Sequence, residues 1–377
     1  MQDSSKKNLC YIISFINKSI AFEWIAEELS KEKYNLSFIL LNTVDTELER
    51  YLRRNNIPVE RVQYAGKKDY LKAFRKVYSL LKQNKIDIVH AHLFDANVVG
   101  IVAAYFAGVK QRMHTRHHGT WHRVHFPHAV YYDKLVNRLS TTIVAISKNL
   151  MNVLTKMDKA KPKKIELIHH GFKLDLFENI EPQRIENLKK KYNPNNKKLV
   201  LGVIGRYIDF KGVQFVVPAY KKILERYPDT LLILANGVGK HEKIIKKQLE
   251  EIPKENYVEV PFENDIFAFY KVFDIFIHAP IDIDSEAFGQ TFVEALASEI
   301  PSVFTLAGVA DEFIVDKKNA LVVPFQDSDK IVEAVTTLIE NNVLRDSLKK
   351  QGKKDVWELF TLDKMIKRLE QIYDRPY

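Results

Sequence analysis

The stretch Leu199-Val200-Leu201-Gly202-Val203-Ile204-Gly205-Arg206-Tyr207-Ile208-Asp209-Phe210-Lys211-Gly212 reads as an apolar strand that runs out into a glycine-marked turn. Three of the chain's 13 glycines fall within the eleven residues from Gly202, so this turn needs a backbone reason. A helix-like segment, Val213–Arg226, follows directly. Strand, turn, helix is the repeating unit of a parallel α/β sheet. The same alternation runs along the chain. Apolar runs at Tyr11–Phe15, Ser37–Leu41, Ile86–Val89, Thr142–Ile146 and Ile165–Ile168 form one set. Leu199–Ile204, Leu231–Ala235, Val258–Val260, Ile275–His278, Ser302–Phe304 and Ala320–Val323 form a second. Helix-like stretches between them include Ala21–Lys31, Tyr70–Lys82 and Glu242–Glu250.

Eleven strands in two sets predict two doubly wound domains rather than one barrel. The mostly polar stretch 176–198 divides them, giving an N-terminal domain over 1–180 and a C-terminal domain over 195–361. At 377 residues, 46% hydrophobic and 28% charged, the composition is that of a folded globular protein and excludes a disordered or fibrous chain.

The net charge of +10 is uneven. Residues 1–180 carry 29 Lys and Arg against 17 Asp and Glu, whereas 181–377 carry 29 against 31. An anionic partner of the N-terminal half follows. Part of that charge lies on the amphipathic segment Tyr70–Lys82, whose expected apolar face is Leu71, Phe74, Tyr78 and Leu81. Resting on an anionic membrane and packing as an ordinary crossover helix are its two readings, the second favoured by the needs of a parallel sheet. No nucleic-acid recognition motif accompanies the charge. The single cysteine, Cys10, lies in an apolar run and reads as a buried strand residue rather than a nucleophile. That run is too short to span a membrane, and no cleavage-site pattern follows it. The expected location is cytoplasmic, peripheral on the membrane at most.

In open parallel sheets, ligands sit beyond the carboxyl ends of the strands. Beyond the first quoted strand, Arg206 and Lys211 can converge on one anion, the Arg as a planar fork and the Lys as a compact charge; two solvated surface cations are the alternative. A second segment, Ser285-Glu286-Ala287-Phe288-Gly289-Gln290-Thr291-Phe292-Val293-Glu294, reads as a loop opening a helix near Gly289. Free N–H groups at such a start attract anions. Glu286 in the loop and Glu294 in the helix can grip different hydroxyls of one ligand, or act as a general acid/base pair. Asn236-Gly237-Val238-Gly239-Lys240-His241 lacks the first glycine and the hydroxyl residue of a phosphate loop and is set aside.

The Gly-Arg-(four residues)-Lys-Gly loop and the Glu-(seven residues)-Glu segment together resemble those of the retaining GT-B glycosyltransferases of the family-4, group 1 type. Further segments fit: Ile88-Val89-His90-Ala91-His92, Thr115-Arg116-His117-His118-Gly119, Val144-Ala145-Ile146-Ser147, Ile168-His169-His170-Gly171-Phe172 and the final helix through Tyr373. The resemblance covers essentially the whole chain.

It implies two Rossmann-like domains facing across a cleft, with helix 362–377 crossing back to the N-terminal domain. Gly205, Arg206 and Lys211 would hold the donor diphosphate; Phe288, Gly289, Gln290 and Thr291 would offer backbone N–H groups. Glu286 would contact the sugar, Glu294 the ribose, and His117 or His118 a sugar hydroxyl near the anomeric carbon. Catalysis would then be positioning and leaving-group stabilisation, without a protein nucleophile, metal or other cofactor. The implied partners are a nucleotide-sugar donor, a UDP-sugar by family weight, and a glycan or lipid-linked acceptor.

Three departures from the family pattern stand out: Phe15-Ile16-Asn17-Lys18-Ser19 in place of a Gly-Gly loop, His170 for an asparagine, and Glu299 for a glycine. Eight of the twelve histidines lie between His90 and His128, but none falls in a helix-face metal pattern. Remaining alternatives are a nucleotide-sugar epimerase, a glycosyl phosphorylase and a non-enzymatic basic membrane-binding protein.

Overall fold

Two sheets organise the protein, seen in a computed structural model that describes residues 6–376. The chain divides into a first unit of residues 1–172 with 362–377, and a second of 173–361. The first unit holds β1 (Lys7–Ser14), β2 (Tyr34–Asn42), β3 (Val59–Gln63), β4 (Ile88–His92), β5 (Gln111–Arg116), β6 (Thr142–Ala145) and β7 (Ile165–Leu167). They pair in parallel in the order β3-β2-β1-β4-β5-β6-β7. The second unit holds β8 (Leu199–Ile204), β9 (Thr230–Ala235), β10 (Tyr257–Val260), β11 (Ile275–His278), β12 (Ser302–Phe304) and β13 (Leu321–Val322). Their order is β10-β9-β8-β11-β12-β13, again parallel. In each sheet the chain order reverses once, between β1 and β4 and between β8 and β11. Such reversals open a crevice at the carboxyl edge of the sheet.

Two strands escape the hydropathy pattern. β3 (Val-Glu-Arg-Val-Gln) is an edge strand that buries only Val59 and Val62. β5 lies inside the sheet, yet is built from Gln, Arg, Met, His, Thr and Arg. Its polar side chains are buried because each has a partner. Gln111 donates to the carbonyls of Tyr373 and Arg375, His114 Nδ1 meets Ser140 Oγ at 2.8 Å, and Arg116 pairs with Asp133 and Asp158.

The first unit ends at Phe172, not at 180, because the polar stretch that follows is structured. Helix Pro182–Tyr192 buries Leu188 and Tyr192, Arg184 grips Asp265 with two nitrogens, and the Tyr192 ring meets Phe269 edge-on. The final helix, Leu362–Tyr373, belongs to the first unit. The Tyr373 hydroxyl lies 2.6 Å from Tyr11 Oη and 2.6 Å from His90 Nδ1, and Lys7 Nζ donates to the Tyr373 carbonyl.

The basic helix Tyr70–Gln83 buries Ala73, Val77, Leu80 and Leu81, spaced i, i+4, i+7 and i+8. The expected face was rotated by about one position: Leu71 is 60% exposed, and Phe74 and Tyr78 flank the stripe, stacked on each other. Ala73 is fully buried in the apolar core of the first unit. Cys10 is buried within β1, where burial pushes its thiol up to about 12 and removes its nucleophilic form. No helix among the described residues is long and apolar enough to cross a membrane.

Candidate active site

In the second unit the motif residues gather where β8 and β11 part. β8 ends at Ile204, and Gly205-Arg206 turns away from it. Tyr207 fixes that turn: its N–H donates to the Val238 carbonyl, and its own carbonyl accepts from the His241 N–H. The glycine-containing segment after β9 thus serves to brace the Arg206 turn. Left-handed backbone falls on Gly212 (φ 68°), at the far end of the turn. A Cβ at Gly212 would lie 1.7 Å from the Ala279 carbonyl oxygen, so only glycine lets the β8 turn approach the end of β11. Beside Gly205, by contrast, a Cβ would meet only the Lys211 side chain at 3.8 Å.

Lys211 and Glu286, expected to hold different parts of a ligand, are bonded to each other: Nζ donates to Oε1. A third group shares that oxygen. His278, the last residue of β11, places Nε2 3.1 Å from Glu286 Oε1. Burial alone would raise the Glu286 carboxyl, but the Lys211 ammonium and the His278 hydrogen bond bring it down to about 2. Burial drives His278 below its usual range despite the carboxylate beside it, so the ring is neutral and donates Nε2–H. Arg206 is exposed and forms no salt bridge among the described residues.

The helix Gln290–Ala297 starts from Gly289, whose φ is 86° and whose Cβ position is taken by the Phe292 ring at 2.5 Å. No side chain caps this start; the Phe292 N–H donates to the Gly289 carbonyl, and the N–H groups of Gln290 and Thr291 are those open to a ligand or water. Phe288 is buried with its ring edge-on to Phe360, so only its backbone faces the loop. Gln290 is exposed, and Thr291 Oγ1 is buried with no hydrogen-bond partner. Glu294 accepts from Tyr270 Oη at 2.8 Å, yet burial still raises its carboxyl to about 6. The two glutamates are therefore displaced in opposite directions by their surroundings.

The first unit carries the histidines. His92, at the end of β4, places Nδ1 3.2 Å from Nε2 of His117 and stacks on Tyr11 with 10° between the rings. His117 lies nearly parallel to His170, centroids 5.7 Å apart. Burial lowers His117 to about 4 and His170 to about 3, so both are neutral at physiological pH. His118 goes elsewhere. Its ring lies against His122, centroids 3.7 Å apart, and Asp133 accepts from His122 Nδ1 at 2.7 Å and pairs with Arg116 at 2.6 Å.

His118, His122 and Asp133 have their donor atoms close enough together to surround a cation. The charges there already cancel, with Arg116 and Arg123 against Asp133 and Asp158. A divalent ion would face the Arg116 guanidinium and compete for an occupied carboxylate, so this donor set fits a metal poorly.

Phe15 (φ 51°) at the end of β1 and Leu93 (φ 71°, ψ 158°) after β4 both have positive φ, as does Glu299 (φ 57°), so two of the three departures keep a backbone that glycine favours. The first two flank the reversal point of the first sheet, where strain of this kind concentrates at functional edges.

Sequence reading missed His278 and Tyr270, each of which holds a motif glutamate. The strand-end rule applied to Ile275–His278 reaches His278; nothing in the local sequence marks Tyr270.

Comparison with known proteins adds the following. Residues 184–355 match the family model described as glycosyl transferases group 1, and residues 24–176 that described as glycosyltransferase family 4. The chain is 25% identical over 311 residues to the capsular polysaccharide biosynthesis glycosyltransferase CapM of Staphylococcus aureus, covering 81% of this chain and 80% of that one. It is 23% identical over 311 residues to the alpha-monoglucosyldiacylglycerol synthase of Acholeplasma laidlawii, covering 75% of each. Among solved structures, Anabaena HepE in complex with UDP-glucose superposes with a TM-score of 0.84 at 18% identity, covering 98% of this chain and all of that one.

Proposed function

The chain belongs to the group 1 glycosyltransferases of the GT-B fold, and from that premise we propose that it is a retaining hexosyltransferase. It moves a sugar from a UDP-sugar donor to a glycan or lipid-linked acceptor, in polysaccharide or glycolipid synthesis. The observation that carries this reading is the convergence of Lys211 and His278 on Oε1 of Glu286 where the second sheet reverses, with Arg206 exposed in the turn that follows β8. The UDP-glucose of the Anabaena structure and the capsular and glucolipid products in the relatives' names favour the same donor and acceptor classes.

In this reading Arg206 and Lys211 hold the diphosphate and neutralise the departing nucleotide. The backbone N–H groups from Phe288 to Thr291 receive phosphate or sugar oxygens, Glu286 the sugar hydroxyls and Glu294 the ribose. Of the two candidate histidines the sugar contact is assigned to His117, which groups with His92 and His170, while the His118 ring packs against His122. In the proposed mechanism the leaving phosphate accepts the acceptor's proton on the face it departs from, so that no protein nucleophile is required. The reaction takes no metal. The test is transfer from UDP-sugars to added acceptors: Arg206→Ala and Glu286→Ala each lower kcat/KM by about 100-fold, and EDTA leaves turnover intact. Product formed without any acceptor would favour an epimerase; transfer unaffected by either substitution would exclude this site.

The acceptor side meets anionic lipid. Lys72, Arg75 and Lys76 are exposed beside Leu71 on the helix Tyr70–Gln83, and Lys67 and Lys68 are exposed in the 3-10 turn that leads into it. Basic groups interleaved with an exposed apolar side chain suit a bilayer surface, at about 1 kcal/mol per cation.

A further inference from the structure

We propose that His278 is the positioning residue for Glu286: it holds Oε1 so that Oε2 stays turned to the bound sugar when Lys211 leaves the carboxylate for the donor's diphosphate. This deepens the reading above and rests on it for the identity of the ligand.

The argument begins with a conflict. A single ammonium is bonded to a buried carboxylate, and the same ammonium is wanted by an incoming diphosphate. A buried carboxylate that loses its only cation is costly unless another donor remains. His278 is that donor. It is 2% exposed, it ends β11, and its ring is clamped edge-on by Phe292 with centroids 4.7 Å apart. Phe292 is itself locked against Gly289, so the loop, the helix start and the imidazole form one rigid support. Lys211 and His278 both bond to Oε1, so exchange of Lys211 for the phosphate leaves the carboxylate's orientation unchanged. Glu286 and Lys211 are the charged groups that act on the ring. With Lys211 drawn to phosphate, the carboxylate charge acts on His278 alone, strengthening the hydrogen bond at the moment it is needed.

Two measurements test this. In nitrogen-15 spectra of the full-length protein, His278 should be the Nε2–H tautomer from pH 6 to 8, and Lys211→Met should raise its titration midpoint by about one unit. An Nδ1–H tautomer, or an unchanged midpoint in Lys211→Met, overturns the proposal. This readout needs neither donor nor turnover. In calorimetric titrations with UDP, His278→Leu should bind about tenfold more weakly, because Glu286 then retains Lys211. His278→Gln, which returns an N–H near the position of Nε2, should recover most of that loss. Equal binding by wild type and His278→Leu, or a Gln variant as weak as Leu, contradicts it. If the wild type binds no UDP at all, the donor assignment fails, and the spectra still decide the role of His278.

Discussion

Glu286 and Glu294 are eight positions apart in one motif, and their carboxyls are displaced from an ordinary 4.5 to about 2 and about 6. The sign of each shift fixes a stability effect. The lowered carboxyl of Glu286 contributes stability that is fully present above about pH 4.5 and lost as pH falls through about 2. The raised carboxyl of Glu294 contributes below about pH 4.5, and that contribution is lost as pH rises through about 6. Glu286→Gln should therefore destabilise the protein at pH 8 by about 3 kcal/mol, because it leaves Lys211 without its counter-charge in a buried site. Glu294→Gln should do the opposite at pH 8, stabilising by about 1–2 kcal/mol while weakening nucleotide binding, and should change little at pH 4. Thermal melts of both variants across pH check this; shifts of the same sign at pH 8 would contradict it.

At the scale of elements, the final helix is held by polar contacts rather than by its apolar stripe alone. The Tyr373 hydroxyl joins Tyr11 to His90, and His90 Nε2 continues the chain to Thr115 Oγ1 at 2.8 Å. Tyr373→Phe leaves two buried polar groups short of a partner and should cost about 1–3 kcal/mol in urea unfolding; a loss within 0.3 kcal/mol would show the network to be dispensable. The basic helix Tyr70–Gln83 carries a separate expectation. Reversing Lys72, Arg75 and Lys76 to Glu should abolish co-sedimentation with anionic vesicles while leaving UDP binding unchanged. Retained vesicle binding would confine the helix to packing on its sheet.

These elements also show what a sequence conveys. Strands buried on both faces, such as Leu9–Ile13 or Leu231–Ala235, are legible because burial demands apolar runs. β5 is not legible, because its polar residues are satisfied by partners 17 to 264 positions away, which no local window contains. The two motifs could be placed beyond β8 and β11 by the strand-end rule, although spacing alone leaves a phosphate site and solvated surface cations as equal readings of Arg206 and Lys211. The bond between Lys211 and Glu286, 75 positions apart, belongs to the fold. The rotation of the basic helix by one position is likewise invisible to a local pattern: aromatic residues look like a core face, but the buried stripe is Ala73, Val77, Leu80 and Leu81.

For the whole molecule, the charge asymmetry and the two sheets describe a division of labour. The basic excess lies with residues 1–180, whereas the proposed donor site in the second unit requires only Arg206 and Lys211 as cations. The central claim is that this site binds a nucleotide sugar and passes its sugar on. The most direct measurement is transfer of labelled sugar from a panel of UDP-sugars to an added glycan or lipid acceptor, with wild type compared with Arg206→Ala and Lys211→Ala. The account predicts product that requires acceptor, one preferred UDP-sugar, and loss of at least about 99% of the rate in either variant. Binding of no nucleotide sugar by the wild type, or equal transfer by all three proteins, would contradict it.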